Sequence, residues 1–172
     1  GKETEKLITM NYFSNLEQSF IIAEIGVNHN GDITLAKKLI EAAKKAGADA
    51  VKFQTFTAAS LVSPGTPKVR YQLKSSPVNE THYEMLKRLE LSKQDHLDLV
   101  AYCQVLEIDF ISTPYDIQSA LFLAEIGVLF FKTASADLVD LPLQRFIAAT
   151  GKSTIIATGM ATLGEVERVV NI

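Results

Sequence analysis

Two lysines sit inside runs that otherwise read as apolar core. Lys52 lies in Val51-Lys52-Phe53-Gln54-Thr55, and Lys132 lies in Phe130-Phe131-Lys132-Thr133-Ala134-Ser135. Glu24 interrupts a third run, Ile22-Ala23-Glu24-Ile25-Gly26. A charge in such a setting is costly unless it is paired or functional. Three chemistries fit these residues. In the first, Glu24 and Asp137 supply carboxylates for purely structural ion pairs with the lysines. In the second, two strand-borne lysines facing one mouth seat a dianion such as phosphate, for which a mobile ammonium is well suited. Thr113, Ser135 and Thr158 then add hydroxyl donors. Gly159 either lets backbone N–H groups approach the anion or simply makes a turn. In the third, a desolvated Lys52 or Lys132 attacks a carbonyl, as in a Schiff-base aldolase. Lys52 and Gln54 share a face because side chains alternate along a strand. His29 falls in the turn-rich Asn28-His29-Asn30-Gly31 loop, where capping or packing competes with chemistry.

Five short apolar runs carry these residues, at 20–26, 48–54, 109–113, 129–133 and 154–158. Runs of this length and character suit strands buried on both faces of a parallel sheet. Helical patterns alternate with them. Ala36, Leu39, Ile40, Ala43 and Ala46 recur at helical spacing between a capping Asp32 and a terminating Gly47. Ser92-Lys93-Gln94-Asp95 reads as a capping box, with Asp in place of the usual Glu or Gln, and opens a helix to about 107. Ile117, Ala120, Leu121 and Ala124 mark the next helix. Asp140 caps one with Pro142 in its first turn, and Thr162-Leu163-Gly164-Glu165 boxes a last helix expected to run off the chain end. Strict alternation implies a parallel α/β fold. The connection from 55 to 91 breaks the rhythm. It carries Pro64, Gly65, Pro67 and Pro77, with a short helical piece at 83–89, and loops this long are usually functional or disordered. Five units do not close an eight-stranded barrel, and an open doubly wound domain fits the length. However, no Gly-rich phosphate loop follows the first strand, and the last helical pattern shows no stop. An incomplete barrel is therefore the expectation, with the site at the C-terminal ends of its strands.

Composition narrows the function classes. The 172 residues carry a net charge of −3 with no Lys/Arg cluster, so a nucleic-acid partner is not expected. The longest apolar run, at 20–25, is far below the roughly 20 residues of a membrane span, and no membrane association is expected. The polar start GKETEKLITM lacks the apolar core of a signal peptide. The single cysteine, Cys103, forms no internal disulfide and reads as a small buried hydrophobe, which fits a reducing, cytoplasmic setting.

Taken together, the strand-end motifs resemble one family. Ile21-Ile22-Ala23-Glu24-Ile25-Gly26-Val27-Asn28-His29-Asn30-Gly31-Asp32 resembles the opening strand and loop of the sialic acid synthases, and Gly47-Ala48-Asp49-Ala50-Val51-Lys52-Phe53-Gln54 their second strand. Phe110-Ile111-Ser112-Thr113-Pro114, Phe131-Lys132-Thr133-Ala134-Ser135-Ala136-Asp137 and Ala157-Thr158-Gly159-Met160 resemble the next three, in family order.

The resemblance implies a fold of the first five βα units of a (β/α)8 TIM barrel over 20–172, apparently truncated. Residues 1–19 would form an N-terminal extension. The rest of the barrel and a C-terminal antifreeze-like domain would be missing. It implies condensation of phosphoenolpyruvate with an N-acylated amino sugar such as N-acetylmannosamine, with phosphate release. Lys52, Thr113, Lys132 and Ser135 would bind phosphoenolpyruvate, and Thr158, as a hydroxyl donor, counts with them as a substrate-binding candidate. Gln54 would contact the sugar. Glu24 would orient the sugar or move a proton, and Asp137 matches an acidic position near the reacting centre. A divalent metal, usually Mn2+, is implied, with its histidine ligands beyond Ile172; none of His29, His82 or His96 matches a metal position. The family's domain-swapped homodimer is implied too, and the chain alone is expected to be inactive. Ala157 departs from the pattern, standing where many members carry a serine hydroxyl. The Glu24-to-Asn28 run resembles the neuraminate and legionaminate branches more than the pseudaminate one.

Overall fold

A computed structural model describes residues 12–13, 16–63 and 80–172. Pro64, Gly65, Pro67 and Pro77 of the long connection lie outside the described residues, as do the first eleven residues. Strand β1 (Ile22–Gly26) pairs with β2 (Ala50–Thr55), and β2 with β3 (Asp109–Pro114), all parallel. Strand β4 (Phe131–Thr133) pairs in parallel with β5 (Thr154–Ile156). β4 packs beside β3 without ladder hydrogen bonds, so the ladders form one three-stranded and one two-stranded sheet. The helices are α1 (Ile33–Lys45), α2 (Ala58–Leu61), α3 (His82–Leu89), α4 (Lys93–Val105), α5 (Ile117–Glu125), α6 (Leu141–Ala149) and α7 (Leu163–Val170).

Local chemistry starts these helices where expected. The Asp32 carboxylate accepts the Thr34 and Leu35 N–H groups at the head of α1. Asp116 and Asp140 do the same for Ser119 and Leu143. Both expected capping boxes form, at Ser92/Asp95 and Thr162/Glu165, and Thr81/Glu84 makes a further one. Each such cap is worth about 1 kcal/mol. α7 keeps its i→i−4 bonding to the penultimate residue, where the Asn171 N–H donates to the Glu167 carbonyl. Two expectations need correction. The fifth strand ends at Ile156 rather than at 158, which leaves Thr158 in a loop. α2 inserts a single turn into the long connection, too short to leave a helical period in the sequence.

The core lies between the strands and the helices. Ile40 of α1, Val51 and Phe53 of β2, Leu99 and Cys103 of α4, Phe110 of β3, Leu123 of α5 and Ile147 of α6 are buried together. Phe53 and Phe110 stack with centroids 5.4 Å apart. Burial pushes the Cys103 thiol up to about 12, so it acts as a core hydrophobe and not as a thiolate.

The other ends of the strands are plugged. Tyr12 and Phe13 pack with Phe20 and Phe130, which lie just ahead of β1 and β4. The Tyr12 hydroxyl donates to the Asp109 carboxylate at the head of β3, and its N–H donates to Ser153 Oγ at 3.0 Å, just before β5. Among the described residues, this leaves the C-terminal strand ends as the open side. Among the described residues, no helix is long and apolar enough to cross a membrane.

Candidate anion site at the strand ends

The site begins with an irregularity in β1. Glu24 pairs in register with Lys52, but Gly26 pairs with Phe53, so Ile25 is an extra residue and β1 bulges there. Ile25 turns into the core. Gly26 takes φ +56°, and a Cβ on it would stand 3.0 Å from Glu24 Oε1 and 3.5 Å from Gln54 Nε2. The absent side chain lets the Glu24 carboxylate and the Gln54 amide converge over bare backbone. In the sequence, the signal for this bulge is the glycine that closes a charged apolar run.

Lys52 is the centre of the arrangement. Its Nζ lies 2.5 Å from Glu24 Oε2 and donates to Thr113 Oγ1 at 3.2 Å. The Lys52 side chain is 11% exposed and that of Glu24 52%. A buried ammonium is thus held between a hydroxyl and a carboxylate that can swing into solvent. Lys132, on β4, donates from Nζ to the Thr133 carbonyl at 2.7 Å. Burial pulls its pKa down, repulsion from Lys52 adds to this, and Glu24 opposes it. The two lysines and Glu24 therefore share one electrostatic environment, with one positive charge in excess. A dianion that displaced Glu24 from Lys52 would find two cations and a hydroxyl already in place.

The remaining expected residues spread outward from this centre. Ser135 opens a 3-10 turn after β4, and the Gly159 loop lies against it; a Cβ on Gly159 would stand 3.5 Å from Ser135 Oγ. Thr158 is exposed in that loop, its carbonyl accepting the Ala161 N–H at 3.2 Å. Asp137 closes the 3-10 turn. Burial, and then the charge of Asp140, push its carboxyl up to about 6. Its Oδ2 is buried without a hydrogen-bond partner among the described residues, and no ion pair joins it to either lysine. Of the two carboxylates considered as lysine partners, Glu24 takes that role in this geometry. His29 is buried against Phe53, and its Nδ1 accepts the Gly31 N–H at 2.9 Å, which makes it a loop-packing residue. Among the described residues, no three His, Cys, Asp or Glu side chains converge in a way that could hold a metal ion.

Comparison with known proteins identifies the relatives of this chain. The sequence profile described as the NeuB family matches residues 39–172. An N,N'-diacetyllegionaminic acid synthase from Legionella pneumophila is 50% identical over 86% of this chain and 41% of its own length. One from Campylobacter jejuni is 44% identical over 91% of this chain and 47% of its own. The solved N-acetylneuraminic acid synthetase of Leptospira borgpetersenii, in complex with citrate, superposes with a TM-score of 0.77 at 33% identity, covering 88% of this chain and 48% of that one. The chain thus spans a little under half the length of the relatives it matches. Since the family profile covers most of the sequence, including β2 to α7, the chain belongs to the NeuB family, whose members here include synthases of legionaminic, pseudaminic and N-acetylneuraminic-type acids.

Proposed function

We propose that the chain supplies the phosphoenolpyruvate seat of a (β/α)8-barrel synthase that condenses phosphoenolpyruvate with an N-acylated amino sugar. The observation that carries this reading is Lys52, buried between Glu24 and Thr113 with Lys132 close by. In the reaction, C3 of phosphoenolpyruvate forms a bond to the sugar's aldehyde carbon, and the aldehyde oxygen takes a proton. Water adds at C2, and phosphate leaves with cleavage of the C–O bond. Lys52, Lys132, Thr113 and Ser135, with Thr158 at the rim, hold the phosphoenolpyruvate oxygens. Gln54 and Glu24, side by side over Gly26, face the sugar. Glu24 orients it or exchanges a proton. Asp137, titrating near 6, holds or releases a proton around neutral pH, as general acid–base work requires.

The family implies a divalent cation, Mn2+ in this reading. Among the described residues no three His, Cys, Asp or Glu side chains converge to hold it; its ligands would come from other parts of a full-length homodimeric, cytoplasmic enzyme, where it would polarise the sugar aldehyde. Identities of 50 and 44% to N,N'-diacetyllegionaminic acid synthases, against 37 and 34% to N-acetylneuraminate-9-phosphate synthases, favour a sugar carrying two N-acetyl groups.

The full-length enzyme should release phosphate only when phosphoenolpyruvate, amino sugar and Mn2+ are all supplied, and the 172-residue chain alone should release none. Condensation by a verified 172-residue polypeptide would overturn the reading that this chain supplies only the phosphoenolpyruvate seat. One observation favours a second reading: the lowered pKa of Lys132 also suits a Schiff-base nucleophile. Borohydride with substrate would then trap an adduct on Lys132, and no adduct from an active enzyme excludes it.

A further inference from the structure

Behind the Lys52 cluster, on the helix side of the strands, runs a buried chain of polar side chains. His96 of α4 is 2% exposed, and its ring meets Phe110 and Phe122 edge-on, with centroids 6.4 and 5.4 Å away. His96 Nδ1 lies 2.8 Å from the Ser92 carbonyl, and Nε2 lies 2.8 Å from Thr55 Oγ1. Thr55 Oγ1 lies 2.7 Å from Ser112 Oγ. The partners fix the direction of these bonds. A carbonyl only accepts, so Nδ1 carries the hydrogen. Burial holds the ring below its ordinary pKa, which keeps it neutral, so Nε2 is a bare acceptor. The Thr55 hydroxyl therefore donates to Nε2, and its oxygen accepts the Ser112 hydroxyl proton. The whole chain runs one way, from Ser112 through Thr55 and His96 to Ser92.

Its location ties it to the site. Thr55 follows Gln54, and Ser112 precedes Thr113; Gln54 and Thr113 are register partners across β2 and β3. Side chains alternate along a strand, so Thr55 and Ser112 point to the helices while Gln54 and Thr113 point the other way, with Lys52. Clamping the outer pair fixes the inner pair. The Ser92 capping box in turn fixes the start of α4, from which His96 projects.

We propose that His96 is a positioning residue. Through Thr55 and Ser112 it locks the ends of β2 and β3 so that Thr113, Lys52 and Gln54 hold the geometry that receives phosphoenolpyruvate. This rests on the phosphoenolpyruvate reading above. Hydrogen-bond partners that orient metal ligands change affinity or activity by about 10–100-fold when mutated, and support of an anion site by the same means is expected at the lower end of that scale.

The test is calorimetric binding of phosphoenolpyruvate to the full-length enzyme, with phosphate release and thermal melting run in parallel. His96→Ala opens a cavity between two phenylalanines and risks misfolding, so the deciding variant is the near-isosteric Thr55→Val. It should weaken phosphoenolpyruvate binding about tenfold and raise KM while kcat stays within about twofold, the pattern of lost ground-state binding. Thr55→Ser, which keeps the hydroxyl, should restore wild-type affinity. If Thr55→Val binds as tightly as wild type, or if Thr55→Ser is as weak as Thr55→Val, the proposal is wrong. A wild-type enzyme that binds phosphoenolpyruvate without turning over an amino sugar removes the sugar half of the function and leaves the positioning role standing. A wild-type enzyme that binds no phosphoenolpyruvate overturns both.

Discussion

Replacing Gly26 with alanine separates what the backbone needs from what the site needs. Gly26 sits at φ +56°, and an L-residue in the left-handed region costs about 1–2 kcal/mol. Gly127→Ala measures that cost alone, because Gly127 also has positive φ, +81°, and a Cβ there would meet nothing within 4 Å. At Gly26 the new methyl would stand 3.0 Å from Glu24 Oε1. The far end of Glu24 is flexible and half-exposed, so it swings away. Lys52 then loses the oxygen now 2.5 Å from its Nζ and keeps only Thr113. Stranding one member of a fully buried pair costs about 3–5 kcal/mol. With Glu24 half in solvent, a discounted value of about 1–2 kcal/mol is appropriate. Gly26→Ala should therefore destabilise by about 2–4 kcal/mol, roughly twice the effect of Gly127→Ala. In a Glu24→Ala background there is no carboxylate left to displace, and Gly26→Ala should fall to the Gly127→Ala value. Urea unfolding of the full-length enzyme measures all four variants. An equal cost for Gly26→Ala with and without Glu24 would refute the claim that the glycine exists to seat that carboxylate.

Other perturbations test separate links. Thr113→Val removes the hydroxyl that accepts from Lys52; KM for phosphoenolpyruvate should rise by roughly tenfold, for one charge-assisted hydrogen bond of about 1.5 kcal/mol, and an unchanged KM contradicts its role. Asp137 titrates near 6 in the fold against 3.8 when unperturbed. The folded state then binds the proton more tightly than the unfolded one, so stability rises as pH falls through this window and is lower above it. The melting temperature of wild type relative to Asp137→Asn should accordingly climb between about pH 6 and 4, and a flat difference would show that the carboxyl is not perturbed. Tyr12→Phe deletes the hydroxyl bond to Asp109 and should cost about 1 kcal/mol in thermal stability, with kcat/KM unchanged because the plug lies at the opposite strand ends from the site.

The alternation of strands and helices was legible because each element carries its own short-range signal. Asp32, Ser92, Asp140 and Thr162 mark helix starts through bonds spanning two or three residues. Glu24, Lys52 and Lys132 stood out because a charge in an apolar run needs a reason. The pairing of Glu24 with Lys52 was one of two carboxylate options until the register of β1 against β2 placed them opposite each other. The Tyr12 plug and the His96 relay were not legible. The plug and relay depend on contacts between residues 41 to 141 positions apart, such as His96 with Thr55 and Tyr12 with Ser153. No local pattern encodes such meetings.

The central claim is that Lys52 exchanges Glu24 for phosphoenolpyruvate. A crystal structure of the full-length enzyme with phosphoenolpyruvate bound tests it most directly. Ligand oxygens should lie within hydrogen-bond reach of Lys52 Nζ, Lys132 Nζ and Thr113 Oγ1, with the Glu24 carboxylate turned away from Lys52. Phosphoenolpyruvate bound elsewhere, with the Glu24–Lys52 pair still closed, would contradict the account.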